Sequence, residues 1–147
     1  MPIATRAAEI VWEGPLASGT GTLSSGSGAL GQLPVTWASR TERADGKTSP
    51  EELIAAAHAS CFAMALSLIL GENHTPPQRL VVNAACTLDD VDGAPRITTL
   101  ELTVRARVPG LDQASFEQAF GRAADLCPVS NALRGNVEIS LHSELGK

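Results

Sequence analysis

Between residues 96 and 108 the chain alternates, with Leu100, Leu102, Val104, Ala106 and Val108 at one parity and Glu101, Thr103, Arg105 and Arg107 at the other. A period of two predicts a strand with one dry face and one wet face. Residues 79–90 read as its partner strand, joined to it through Val91-Asp92-Gly93-Ala94-Pro95. Upstream, residues 8–12 and 19–23 read as short strands about a turn at Gly14-Pro15, and residues 24–31 as a Gly/Ser-rich loop. Residues 33–39 complete a meander, because Leu33, Val35 and Trp37 alternate with smaller or polar neighbours, which places Arg40 at a strand end.

The pattern changes at Ser49. Ser49-Pro50-Glu51-Glu52 predicts a helix start, with Ser49 as N-cap, Pro50 at the first helical position, Glu52 closing a capping box and both carboxylates favoured by the helix dipole. From Leu53 to Leu70 no formally charged side chain occurs, so the helix is apolar nearly all round and belongs in a core. A membrane span is the weaker reading: the run is at the short limit, follows two glutamates directly and carries His58, Ser60 and Ser67. Residues 71–78, with Pro76-Pro77, form an exposed connection.

A second, amphipathic helix is predicted from Asp112 or Ser115 to about Leu126, with Phe116, Ala119, Phe120 and Ala123 on its apolar side. Cys127-Pro128 breaks or restarts it, because proline lacks an amide donor and fits a first turn; residues 129–133 continue, and a last strand begins at Asn136. The order is three strands, buried helix, two strands, helix, strand: an α+β chain forming a single domain over residues 1–147. Its central helix carries more apolar surface than one small sheet would cover.

Composition narrows the function. With 11 basic against 16 acidic residues and a net charge of -5, the chain has no nucleic-acid footprint. The first residues lack the apolar segment of a signal peptide, so a cytoplasmic protein is expected. Three cysteines, Cys61, Cys86 and Cys127, are too few and too scattered for a secreted disulfide framework, and neither they nor His58, His74 and His142 have zinc-ligand spacing.

Three separated stretches carry a more specific signal: Trp37-Ala38-Ser39-Arg40, then TSPEELIAAAHASCFAMALS from Thr48 to Ser67, then Cys127-Pro128-Val129-Ser130. Together, and in this order, they resemble the OsmC/Ohr family of thiol-dependent peroxidases, most closely its OsmC branch. The resemblance implies an intertwined homodimer in which antiparallel sheets of about six strands wrap paired central helices. It implies Cys61 as the peroxidatic cysteine, Cys127 as the resolving one, Arg40 as activator of the thiolate and an acidic residue of the Pro-Glu-Glu-Leu word as the group orienting that arginine. Glu51 matches that place, since Glu52 has a capping role of its own. The implied cycle reduces organic hydroperoxides, and hydrogen peroxide more slowly, to alcohols or water in oxidative or osmotic stress defence. It passes through a Cys61 sulfenic acid and a Cys61–Cys127 disulfide, which an external dithiol of lipoyl or thioredoxin type reduces, without metal or cofactor.

Physical chemistry sets the requirements of such a site. A thiolate is the nucleophile, burial raises a thiol's pKa, and Cys61 lies beyond the reach of the helix N-terminal dipole. A fixed cation must compensate, and a guanidinium keeps its charge when desolvated. On a straight helix Glu51 and Cys61, ten residues apart, stand roughly 15 Å apart along the axis. Two central helices crossing antiparallel near Ala56 in a dimer would bring Glu51 of one chain toward Cys61 of the other. Phe62, Met64, Leu66 and the Trp37 strand are expected to supply apolar surroundings for a hydrocarbon tail.

Other residues read more simply. Cys86 shares the parity of Val82, Ala84 and Leu88 and packs as core; His58, one turn before Cys61, reads as a buried hydrogen-bonded histidine rather than a general base; His74 and His142 belong to the surface. Two rival functions remain open: a cysteine hydrolase or acyl transferase, which needs a base paired with the thiol, and a non-catalytic dimeric binding module.

Overall fold

The computed structural model describes residues 1–146. The chain forms two compact units, Met1–Leu53 and the remainder from Ile54 onward. Its class is α+β, with two three-stranded sheets.

In the first unit, β1 (Ala8–Glu13), β2 (Thr20–Ser25) and β3 (Leu33–Val35) form an antiparallel sheet in that order. Gly21 lies opposite Trp12. A Cβ there would stand 2.9 Å from the Trp12 ring and 3.0 Å from Ile10 Cδ1, so the missing side chain lets both residues lie across β2. The third strand is shorter than its alternation suggests. At Thr36 the chain turns into a one-turn helix, α1 (Trp37–Thr41), so Arg40 sits in a helical last turn and not at a strand end. The cause is a capping box: Ser39 N–H donates to Thr36 Oγ1 at 3.0 Å and Thr36 N–H to Ser39 Oγ at 2.9 Å.

Helix α2 (Pro50–Glu72) runs unbroken for 23 residues. Ser49 caps it as expected, its Oγ accepting from Glu52 N–H at 3.2 Å. The reciprocal half of that box is replaced, because the Glu52 carboxylate accepts from Thr48 Oγ1 at 2.7 Å. The helix is long and apolar enough to cross a membrane, yet Phe62, Leu66, Ile69 and Leu70 are fully buried in the protein core. The expectation of all-round burial holds for only part of it, since Met64 is 71% and Leu68 57% exposed.

In the second unit, β4 (Arg79–Val91) and β5 (Ala94–Arg107) form a long antiparallel hairpin whose turn holds Asp92 at φ 53° and Gly93 at φ 83°, the left-handed pair a tight hairpin requires. The dry face of β5 is the one its alternation indicates: Leu100, Leu102 and Val104 are fully buried. Helix α3 (Gln113–Leu126) is capped by Asp112, whose carboxylate accepts from Ser115 N–H at 2.7 Å. Helix α4 (Pro128–Leu133) follows with Pro128 in its first turn. The last strand, β6 (Glu138–Gly146), departs from the all-antiparallel expectation by lying parallel to β5. Helices α3 and α4 carry the chain back along the sheet, the crossover that parallel pairing demands. Phe116, Ala119 and Ala123 of α3 close the core against α2 and the sheet, and Phe120 stacks at 5.2 Å from Phe62.

Candidate active site

Four side chains carry the chemistry that the sequence suggests, and they meet as two pairs, one within each compact unit.

The first pair is Arg40 and Glu51. Helix α1 is held against the start of α2 through Ser39 Oγ, which also donates to the Thr48 carbonyl at 2.9 Å, while Thr48 N–H donates to the Pro34 carbonyl at 2.9 Å. That frame aims Arg40 at Glu51. The guanidinium donates through Nε to Oε1 at 3.0 Å and to Oε2 at 3.2 Å, and through Nη2 to Oε2 at 2.9 Å. Such a fork fixes the plane of the guanidinium as well as its position. The carboxylate is 9% exposed and the arginine side chain 28%. Arg40 also packs over Trp37, with Cζ 6.0 Å from the ring centroid.

Arg40 lies in the wall of an apolar groove of about 310 Å³ within the same unit, lined by Ile10, Trp12, Leu23, Trp37 and Leu53 among others. The apolar surroundings therefore differ from those expected on sequence. Trp37 lines the groove, whereas Phe62 and Leu66 are sealed in the core and Met64 faces outward. A helix without a marked apolar stripe gives no sequence signal for which side is covered.

The second pair is Cys61 and Cys127. Cys61, on α2, is half-buried, and Cys127, the N-cap residue of α4, is fully buried. Cys127 makes no side-chain capping bond to its own helix; its thiol lies close enough to Cys61 to act on that thiol's proton affinity. Burial pushes the Cys61 thiol above its ordinary pKa, the Val129 backbone N–H donating to the sulfur opposes that rise, and the adjacent Cys127 adds to it. Cys61 and Cys127 are not joined by a disulfide. Cys86 is half-buried in β4, opposite Leu100.

Beside the cysteines lies a contact between residues 72 positions apart: His58 Nε2 and Ser130 Oγ are 2.6 Å from each other. His58 is fully buried and Ser130 is 2% exposed. Desolvation lowers the His58 pKa, so the ring is neutral near pH 7. Its Nδ1 has no hydrogen-bond partner among the described residues, so His58 is not paired with Cys61 as the base of a cysteine hydrolase would be. His74 and His142 are exposed, as expected. No three His, Cys, Asp or Glu side chains converge as metal ligands among the described residues.

Sequence reasoning missed the parts played by Val129 and Ser130, although both fall in the Cys127-Pro128-Val129-Ser130 word. A proline-started turn places the backbone N–H of Val129 and the side chain of Ser130 on the side that follows the cysteine, a signal visible only once α4 is known to pack on α2.

The family model described as OsmC-like protein matches residues 43–142. The chain is 43% identical over 128 residues to the Peroxiredoxin OsmC of Escherichia coli K12, covering 87% of this chain and 89% of that protein. It is 38% identical over 106 residues to the Organic hydroperoxide resistance protein-like 1 of Staphylococcus epidermidis, covering 71% and 75% respectively. Among solved structures, an organic hydroperoxide resistance protein OsmC from Legionella pneumophila superposes with a TM-score of 0.75 at 25% identity, over 98% of this chain and 99% of that one. The Organic Hydroperoxide Resistance Protein OhrB of Bacillus subtilis does so with a TM-score of 0.72 at 26% identity, over 94% and 98%.

Proposed function

Because the chain belongs to the OsmC-like protein family, we propose that it is a thiol-dependent peroxidase. It reduces organic hydroperoxides, and hydrogen peroxide more slowly, in defence against oxidative or osmotic stress. The observation that carries this reading is the apposition of Cys61 and Cys127 in the reduced chain, with the Val129 amide directed at the Cys61 sulfur.

The Cys61 thiolate attacks the distal oxygen of the hydroperoxide. The O–O bond breaks, the alkoxide leaves and takes a proton to become the alcohol, and Cys61 is left as a sulfenic acid. Cys127 then attacks the oxidised sulfur, the S–S bond forms and water departs. An external dithiol, of lipoyl or thioredoxin type, returns both thiols by exchange. The proximity of the two sulfurs suits the second step, since condensation competes with attack by another peroxide.

The first step needs a cation, because burial holds Cys61 toward its thiol form. Arg40, oriented by Glu51, is the group we assign to it, as partner of both the thiolate and a peroxide oxygen. Along an unbroken helix Glu51 and Cys61 stand roughly 15 Å apart, so the assignment is for a homodimer in which the Arg40–Glu51 pair of one chain serves Cys61 of a second copy. The exposed Met64 and Leu68 on α2, and Ile10, Val11 and Trp12 on β1, are the apolar surface such a dimer would cover. The groove beside Arg40 suits the hydrocarbon tail of an organic hydroperoxide.

Intact-mass analysis after one equivalent of cumene hydroperoxide tests the cycle. The native chain is expected to lose two hydrogens, the Cys127→Ser variant to gain one oxygen, and the Cys61→Ser variant to remain unchanged. Oxidation that persists without Cys61 would overturn the assignment.

A further inference from the structure

Two rungs join α2 to α4. Cys61 meets Cys127 across one of them and His58 meets Ser130 across the other. The spacing is three residues on each helix, from 58 to 61 and from 127 to 130, so the rungs lie side by side, one turn apart on both helices. Among the described residues, His58–Ser130 is the only hydrogen bond between an oxygen or nitrogen of one side chain and that of another across these helices, and the Val129 amide directed at the Cys61 sulfur is a backbone contact beside it.

Helix α4 has six residues and no side-chain cap at its start. A segment of that length does not hold its place by helix propagation. Its other side-chain ties run to α3: Asn131 Nδ2 donates to the Asp125 carbonyl at 3.1 Å and Arg134 Nη2 to the Ala124 carbonyl at 3.2 Å. Those bonds fix α4 to the helix that precedes it. They do not set its register on α2, where the attacked sulfur sits.

The His58–Ser130 bond does so at a cost that needs a reason. A polar pair is kept almost wholly out of water and Nδ1 has no hydrogen-bond partner among the described residues, where an apolar pair of the same volume would pack without that loss. With its proton on Nε2, the imidazole donates to Ser130 Oγ and Nδ1 remains a bare acceptor, which costs less than a bare donor. A hydrogen bond is also directional in a way that an apolar contact is not, so it specifies one axial register of α4.

We propose that His58 and Ser130 are positioning residues, whose bond holds α4 in register on α2 so that Cys127 closes the disulfide on Cys61 before a second peroxide oxidises it further. The inference rests on the peroxidase cycle proposed above for its biological purpose, but its geometry can be tested without peroxide. Neither residue touches the reacting oxygen; both act through Cys127.

The experiment compares Ser130→Ala and His58→Gln with the native chain and with Ser130→Thr, all with Cys86 replaced by serine. Each protein is equilibrated with mixtures of reduced and oxidised dithiothreitol, and the Cys61–Cys127 disulfide is counted by intact mass. Loss of one net hydrogen bond should lower the equilibrium constant for disulfide formation on the order of tenfold in Ser130→Ala, with Ser130→Thr restoring it. In rapid-quench oxidation with cumene hydroperoxide, the same variant should close its disulfide about tenfold more slowly and accumulate Cys61 sulfinic acid at peroxide levels that the native chain withstands.

Unchanged disulfide equilibrium and unchanged closure in folded Ser130→Ala would overturn the proposal. Should that variant not fold, unchanged values in His58→Gln, whose amide can still donate but from a shorter reach, decide the matter in the same way. If instead the native chain takes no oxygen from the peroxide, the proposed activity fails while the dithiothreitol equilibrium still judges the positioning.

Discussion

Replacing Glu51 by glutamine keeps the shape of the Arg40 partner and removes its charge. Three hydrogen-bond distances of 3.0, 3.2 and 2.9 Å converge on the carboxylate. A glutamine can accept from Nε with its remaining oxygen, but its NH2 group then faces the Nη2 donor. Charged hydrogen bonds contribute about 1.5–3 kcal/mol each when buried. Arg40 is more than a quarter exposed, so solvent screening reduces the sum to about 2 kcal/mol for the whole fork. At about 1.4 kcal/mol per factor of ten, the aligned guanidinium becomes roughly thirtyfold less populated relative to other rotamers. If the aligned form stabilises the Cys61 thiolate, kcat/KM for cumene hydroperoxide should fall about thirtyfold, and Tm should drop by about 4–8 °C at this chain length. Peroxidase kinetics and calorimetry on Glu51→Gln, Arg40→Gln and the double variant measure both quantities and the coupling between the residues. A Tm that falls as calculated with kcat/KM held within twofold would show that the fork is structural only, and would remove Arg40 from the chemistry.

Other outcomes follow from the same geometry. His58 is buried neutral with a pKa below its ordinary 6.5; the unfolded chain binds the proton first, so stability should be full above pH 6.5 and decline as pH falls toward the folded value. Urea midpoints from pH 7.5 to 5 should show this decline, and His58→Gln should flatten it. In a background lacking Cys86 and Cys127, the pH midpoint for alkylation of Cys61 by iodoacetamide should move upward in Arg40→Gln, since burial then acts without the cation; an unmoved midpoint would assign thiolate stabilisation elsewhere. Met64→Glu places a charge on a residue already 71% exposed, so it should change the stability of the single chain by no more than about 0.5 kcal/mol. If the proposed dimer forms through this face, the variant should run as a monomer by light scattering and lose turnover; a fully active monomer would exclude a site shared between chains.

The local rules were legible along the chain. The start of α2 follows from Ser49-Pro50, the apolar side of α3 from its helical spacing, the restart at Pro128 from a missing amide, and the dry face of β5 from its alternation, because each depends on residues within a turn or two. Helix α1 was missed for the opposite balance: an alternating Leu33-Val35-Trp37 outweighed a Thr36–Ser39 capping box in which both side chains act reciprocally. Cys61 and Cys127 were singled out through the family's words, not through periodicity. What no local pattern contains is contact across long stretches of chain. The parallel placement of β6, the His58–Ser130 bond, the Val129 amide on Cys61 and the division of α2 into a buried side with Leu66 and an open side with Met64 all arise when distant segments close on one another. Propensity and alternation are properties of neighbours in sequence. Burial, register and hydrogen bonding between elements are properties of neighbours in space, and in this protein the second set brings Cys61 and Cys127 together.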